Sequence, residues 1–217
     1  MNPSVTTAKA SAVIERADIT GWVLAGGRGS RMGGTDKGLQ LLGGVPLVQH
    51  AVQRLSPQVG RMAINANRHA DVYASFGVPV HPDSLADFPG PLGGFLAGLE
   101  HCTTPYLMTV PCDTPNFPVD LVARLAAELI ARDVPLAMAA TRSVDGIQPQ
   151  PVFCLMGSHL RQSLLDFTST GGRKPQVWAE LNGCAWVVFD DEAAFFNANT
   201  HAELQALQAA AGSGASA

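Results

Sequence analysis

The chain has 217 residues and a formal net charge of −4, with 47% apolar and 15% charged residues. This length suffices for one large domain with a real core, and the composition is globular rather than disordered. The acidic balance excludes a global basic field for nucleic acid or anionic membrane, so an anionic ligand must be held by local cations and backbone N–H groups.

Residues 1–17, MNPSVTTAKASAVIERA, lack a continuous apolar stretch and read as a loose tail rather than a signal peptide. A first strand is expected over Ile19–Ala25, leading into a glycine-rich loop. A helix over Pro46–Leu55, a strand over Arg61–Ala66, a helix over Ala70–Phe76 and a strand over Val78–His81 follow. Next come a helix over Pro91–Cys102, a strand over Tyr106–Val110 and a helix over Pro118–Arg132. In the last of these, Leu121, Leu125, Leu129 and Ile130 recur at helical spacing, and Pro118 suits a first turn. Strands over Leu136–Ala140 and Val152–Leu155, a helix over Ser158–Phe167 and a strand over Ala185–Phe189 complete the centre. Thr200 and Glu203 form a capping box opening a last helix, Thr200–Gln208, and the low-complexity end AAAGSGASA reads as a second tail. Several strands are nearly continuous in apolar residues, as expected when both faces are covered. The alternation predicts an α/β layered fold with a largely parallel sheet, with no repeat and no dividing linker.

No stretch is long and apolar enough to predict a membrane span. Cys102, Cys112, Cys154 and Cys184 form no C-x-x-C pair and read as reduced thiols of a cytosolic protein. The six histidines show no H-x-H or H-x-x-x-H spacing, which argues against zinc.

In such sheets ligands bind beyond the carboxyl ends of the strands. The stretches expected there are LAGGRGSRMGGTDK, NANR, PDSLADFPGPLGG and PCDTP. The first carries Gly26, Gly27, Gly29, Gly33 and Gly34, with Gly38 close behind, and the cations Arg28, Arg31 and Lys37. It is not a P-loop, because Lys37 is followed by glycine rather than Ser or Thr, and it is not G-x-G-x-x-G, because Met32 stands where the third glycine belongs. What remains is a backbone free to turn N–H groups towards an anion, with Arg31 and Lys37 to neutralise phosphate oxygens; a solvated surface loop is the bland reading. Asp113 follows an apolar run and could hold Mg²⁺ with water and phosphate oxygens completing the shell, or serve as a turn residue. Asp83 is a second strand-end carboxylate, and two acids with a glycine-cation loop fit metal-assisted phosphoryl or nucleotidyl transfer. Asn65 and Asn67 suit base or ribose recognition as well as plain turn chemistry. Cys112 has no histidine placed to activate it as a nucleophile.

With these residues assembled, LAGGRGSRMGGTDKGL, NANR, DSLADFPGPLGG, PCDTP and FNANT, in that order, the chain resembles the molybdenum cofactor guanylyltransferases, MobA-type nucleotidyltransferases, over roughly residues 20–201. The resemblance implies a three-layer α/β/α Rossmann-like nucleotidyltransferase fold with a mostly parallel sheet. It also implies one such domain over residues 18–208, between flexible tails at 1–17 and 209–217. The implied reaction transfers GMP from GTP to the phosphate of the molybdopterin cofactor, releasing pyrophosphate, with Mg²⁺ as cofactor. By the same resemblance Leu24, Ala25, Gly26 and Gly27 line the nucleotide, Asn65 and Asp83 complete its recognition, and Asp113 binds both nucleotide and metal. Lys37, Asp113 and Arg31 form the implied catalytic set; Gly93, Gly94 and Asn199 are further site residues, and the pterin lies near Gln148–Gln150 and Asn197–Asn199. Implied partners are GTP and the molybdopterin cofactor, then molybdopterin-synthesis proteins and apo-molybdoenzymes, in the cytoplasm, without nucleic acid or membrane.

Two stretches depart from the family pattern. Gly29 and Ser30 stand where relatives often carry extra basic residues, and RSVDGIQPQPVFCL fits only loosely. The neighbouring readings are a cytidylyltransferase on the same cofactor, where LAAG is more usual than LAGG, and a sugar- or polyol-phosphate nucleotidyltransferase, which DSLADFPGPLGG speaks against. From another class comes a non-catalytic carrier of the finished cofactor.

Overall fold

The computed structural model describes residues 13–26, 36–84, 90–144, 146–198 and 203. In chain order these form β1 (Ile19–Leu24), β2 (Leu41–Leu42), β3 (Val45–Pro46), α1 (Leu47–Leu55), β4 (Arg61–Asn65), α2 (Ala70–Ala74), β5 (Val80–His81) and α3 (Pro91–His101). The second half holds β6 (Tyr106–Pro111), α4 (Leu121–Arg132), β7 (Leu136–Ser143), β8 (Gly146–Gly157), α5 (Arg161–Ser169), α6 (Pro175–Leu181) and β9 (Ala185–Phe189). Residues 1–12, the end 209–217 and all of the expected Thr200–Gln208 helix except helical Glu203 lie outside the described residues. Arg16–Asp18, at the border between the expected first tail and the domain, form a 3-10 turn closed by reciprocal Glu15 and Asp18 contacts.

Seven strands build one sheet in the order β5-β4-β1-β6-β8-β7-β9. All neighbours run parallel except those of β8, which is antiparallel to both β6 and β7. Alternation along the strands sends side chains to opposite faces. Val23, Ile64, Val110 and Phe153 join α1, α4 and Tyr73 of α2 in one buried cluster. Trp22, Ala63, Leu107 and Cys154 meet α3, α5 and α6 in the other. The result is an α/β/α three-layer arrangement, as expected. On α1, Leu47, Val48, Ala51, Val52 and Leu55 form the buried stripe that the helical period requires.

Three elements depart from the sequence reading. The β2–β3 hairpin turns at Gly43 and Gly44, with φ of 60° and 82°, a two-residue turn that needs positive φ at both places. Helix α6 buries only Trp178 and Ala179, too short a stripe to show as a period. Strand β8 runs well beyond the expected Val152–Leu155, through Pro149 and Pro151. Proline is tolerated there because β6 pairs with β8 only from Cys154 onward, leaving that half of β8 bonded to β7 alone. In addition, Pro118 lies outside its helix: α4 begins at Leu121, after a turn in which Leu121 N–H donates to the Pro118 carbonyl at 3.2 Å.

Phe153 stands between Phe117 and Phe195, with ring centroids 5.8 and 5.0 Å away, at the centre of the first cluster. Phe153→Ala is expected to lower unfolding stability by about 3–5 kcal/mol, the usual range for a buried aromatic; a urea midpoint unchanged from the parent protein would contradict this packing.

On the other face Trp22, His81 and His101 stack, with the two histidine rings 4.0 Å apart. Burial, and then the neighbouring His101, hold the His81 imidazole below its ordinary value. The folded chain therefore binds fewer protons here than the unfolded one, whose histidines titrate near about 6.5. The contribution of the stack is complete above that pH and lost as pH falls through the lower folded value. Urea midpoints are expected to decline on acidification below about 6.5, with a smaller decline in His81→Phe; equal declines would remove His81 as the source.

Candidate active site

The chain builds β4 and β5 on one side of β1 and then crosses to place β6 on the other. The carboxyl ends of β1 and β6 thus flank the point where the strand order reverses, the usual ligand position of such sheets. At this point the Leu24 carbonyl accepts the Cys112 N–H at 3.0 Å, and the Ala25 N–H donates to the Asn65 carbonyl at 2.8 Å. Both groups are held by the framework, so the peptide chain from Leu24 to Gly26 is a rigid floor between β4 and β6.

Asp113 leaves the end of β6, and the ammonium of Lys37 reaches its Oδ2 at 3.4 Å. The lysine is 32% exposed and the aspartate 15% exposed, so the pair is partly open to a ligand. Such a long, partly exposed ion pair adds little to stability. Its chemical importance is that it gathers one cation and one carboxylate at the reversal point. The Asp113 carbonyl is fixed from the far end of the chain, accepting the Ala198 N–H at 2.8 Å, and the Thr114 hydroxyl donates to Asn197 Oδ1. Ala198 is buried with Leu42 and Leu47, so the β2–β3 hairpin packs beneath the same segment.

On the β4 side, Asn65 Nδ2 donates to Asp83 Oδ1 at 2.9 Å, and Asn67 Nδ2 donates to Asp83 Oδ2 at 2.8 Å. The Asp83 N–H returns a bond to Asn67 Oδ1 at 2.7 Å, and Asn67 Nδ2 also reaches the Gly26 carbonyl at 3.3 Å. Asn65 is 2% exposed, with its amide also donating to the His81 carbonyl at 3.2 Å. Helix α3 presses on this set through Gly94, where an added Cβ would stand 2.6 Å from Asn65 Oδ1 and 2.4 Å from Leu24 Cδ2. Gly94 is therefore a packing requirement of the site's floor.

The structure thus brings together Leu24, Ala25, Gly26, Lys37, Asn65, Asp83 and Asp113. Gly27, Arg31 and Asn199 lie outside the described residues. Gly93 sits in the first turn of α3, its N–H donating to the Gly90 carbonyl at 3.3 Å. Gln150 lies on β8 and donates to the Thr141 hydroxyl at 3.1 Å. Cys112 is buried, and burial, then the Asp113 and Asp36 carboxylates, push its thiol well above the usual range, which leaves it without nucleophilic character.

Two residues of the site went unnoticed in the sequence. Asp36 caps the 3-10 turn Lys37–Leu39, its Oδ1 accepting the Gly38 N–H at 3.2 Å. The same oxygen accepts the Tyr73 hydroxyl at 2.5 Å. An aspartate beside a glycine-rich stretch is a visible capping signal; Tyr73, on another helix, offers none.

For a metal, the donor set near Lys37 is spare: among the described residues no group of three or more His, Cys, Asp or Glu side chains converges. This suits Mg²⁺, which takes one or two carboxylates and completes its shell with water and substrate phosphate. Among the described residues no helix is long and apolar enough to cross a membrane.

Known proteins share both the sequence and this architecture. The family model of the MobA-like NTP transferase domain matches residues 21–213. A molybdenum cofactor guanylyltransferase of Bordetella pertussis is 57% identical, covering 90% of this chain and 100% of the relative. Another of that name, from Methylibium petroleiphilum, is 59% identical over 88% of this chain and 95% of the relative. Among solved structures, the molybdopterin-guanine dinucleotide biosynthesis protein A of Archaeoglobus fulgidus superposes with a TM-score of 0.73 at 20% identity, covering 89% of this chain and 99% of that one. A 4-diphosphocytidyl-2C-methyl-D-erythritol synthase of Anaerococcus prevotii gives 0.71 at 12% identity, covering 90% and 96%, which shows the fold without the substrate. With its Lys37–Asp113 pair at the strand reversal and a family match spanning nearly the whole sheet, the chain belongs to the MobA-like NTP transferases.

Proposed function

We propose that this chain transfers GMP from GTP to the terminal phosphate of the molybdopterin cofactor, giving the guanine dinucleotide form and pyrophosphate. The observation that carries this reading is the meeting of Lys37 and Asp113 at 3.4 Å beside the Leu24–Gly26 floor, in a chain 57% identical to a guanylyltransferase along that relative's full length. A pterin phosphate oxygen forms a bond to the α-phosphorus of GTP, and the bond from that phosphorus to the bridging oxygen breaks. The electron pair leaves with pyrophosphate. The protein's work is positioning and charge neutralisation.

Leu24, Ala25 and Gly26 provide the floor on which the nucleotide lies, and Asn65 and Asp83 recognise it. Lys37 neutralises charge on the phosphates during transfer. Asp113 holds Mg²⁺, which when bound polarises the phosphate oxygens and screens their charge. The residual shell is left to water and phosphate. Arg31 and Gly27 complete the phosphate side, and the pterin lies towards Gln148–Gln150 and Asn197–Asn199. The working unit is one domain, residues 18–208, in the cytoplasm, passing its product to apo-molybdoenzymes.

Calorimetry with GTP, CTP and ATP, each with and without Mg²⁺, and pyrophosphate release with molybdopterin test the reading. Mg²⁺-dependent preference for GTP with pyrophosphate release supports it. Preference for CTP moves the chain to cytidylyl transfer, and no nucleotide binding leaves a cofactor carrier.

A further inference from the structure

The ammonium of Lys37 projects from the 3-10 turn Lys37–Leu39, and that turn is fixed at both ends. At its far end the Gln40 carbonyl accepts the Leu47 N–H at 2.8 Å, tying the turn to the start of α1. At its near end stands Asp36, which is 9% exposed and receives the Gly38 N–H and the Tyr73 hydroxyl on the same oxygen. Tyr73 is fully buried. Its ring fills the space that a side chain at position 38 would need: a Cβ on Gly38 would stand 2.5 Å from the Tyr73 hydroxyl. The phenol, the capping carboxylate and the glycine therefore form one closely fitted unit directly behind the lysine.

The helix that delivers Tyr73 is built at a cost. α2 has five residues and opens on His69, whose φ of 53° is left-handed, a conformation a non-glycine residue adopts only when its surroundings enforce it. Burial, and then the hydrogen bond to Asp36, push the Tyr73 phenol far above its usual value. It stays a proton donor to Asp36 across any working pH.

We propose that Tyr73 is a positioning residue for nucleotidyl transfer: its hydroxyl fixes Asp36, Asp36 fixes the Lys37–Leu39 turn, and the turn holds the Lys37 ammonium at the reacting phosphates. Tyr73 itself touches no substrate. The inference rests on the proposed role of Lys37 and names what makes that role possible.

The test is a double-mutant cycle on pyrophosphate release with GTP, Mg²⁺ and molybdopterin, using Tyr73→Phe, Lys37→Ala and the pair. Tyr73→Phe removes only the hydroxyl and is expected to lower kcat by about 10- to 100-fold, the scale of an ångström-level misplacement, with KM for GTP little changed. In the Lys37→Ala background the same change is expected to cost nothing further, because the group being positioned is gone. An equal loss in both backgrounds, or full kcat in Tyr73→Phe, overturns the inference while leaving Lys37 its role. Full kcat in Lys37→Ala overturns the reading of Lys37 and this inference with it. Should Tyr73→Phe fail to fold, the Asp36 pair carries the test. Asp36→Asn keeps the accepting oxygen and is expected to retain kcat within about threefold, whereas Asp36→Ala falls as far as Tyr73→Phe was expected to. Equal losses in the two Asp36 variants would make the charge, not the positioning bond, the operative feature, and would overturn the proposal.

Discussion

Asp113→Ala is expected to lower Mg²⁺-dependent turnover by at least about 10³-fold, the upper end of what losing one transition-state stabiliser costs. The fold should survive, because the side chain lies just past the end of β6 and its ion pair with Lys37 is long, at 3.4 Å. Its backbone carbonyl, which accepts from Ala198, is kept by any substitution. Asp113→Asn refines the result. The amide nearly matches the carboxylate in size but carries no charge, so it should lose turnover almost as far as alanine if the carboxylate's work is holding a cation. The measurement is pyrophosphate release across a Mg²⁺ series, with urea unfolding as the control. Turnover at the parent level in either variant, with normal unfolding, would end the assignment of the metal to Asp113.

Lys37→Ala is expected to lower kcat by about 10²–10³-fold. If the ammonium acts on charge that develops during transfer, kcat and kcat/KM fall together. If it only grips ground-state phosphate, KM rises and kcat is kept. Lys37→Arg separates charge from shape. The guanidinium keeps the charge, but its planar fork cannot occupy the point position 3.4 Å from Asp113 Oδ2 in the same way. Partial activity between lysine and alanine is therefore expected; alanine-like inactivity would mean that point-charge placement is decisive. Steady-state kinetics in GTP at saturating molybdopterin reads all three cases.

Much of the sheet was legible in the sequence, for a physical reason. Ile19–Leu24, Arg61–Asn65 and Tyr106–Pro111 are covered on both sides by neighbouring strands and on both faces by helices or packed loops. Burial from every direction writes a nearly continuous apolar run, and the polar residue that ends the run marks the carboxyl edge. Asn65, Asp83 and Asp113 were readable because each stands at or just beyond a strand end, and Lys37 because it is a cation in the glycine-rich sequence that follows β1. The hairpin was hidden because two-residue strands leave no period, although Gly43–Gly44 marks its turn. The length of β8 was hidden because prolines argue against a strand, and only the splay from β6 makes them tolerable. Tyr73 was hidden for a different reason. Its partner Asp36 lies on a separate segment, and nothing in ADVYASF says that the ring turns inward to meet a carboxylate.

The bond from Ala198 to the Asp113 carbonyl has a consequence for the order in which the protein is made. A nascent chain that has emerged only as far as Asp113 already holds β1, β4, β5 and β6, and with them the asparagines, Asp83 and Lys37. It lacks the donor that pins the Asp113 peptide and the buried alanine that closes over Leu42 and Leu47. Domains fold as units, and the core behind β1 and β6 also draws on Phe153 and Val187 from later strands. The Asp113 end of the sheet is thus secured only when Ala198, nearly the last described residue, has appeared. A chain cut short before Ala198 would carry every side chain named around Asp113 and still leave that peptide unpinned.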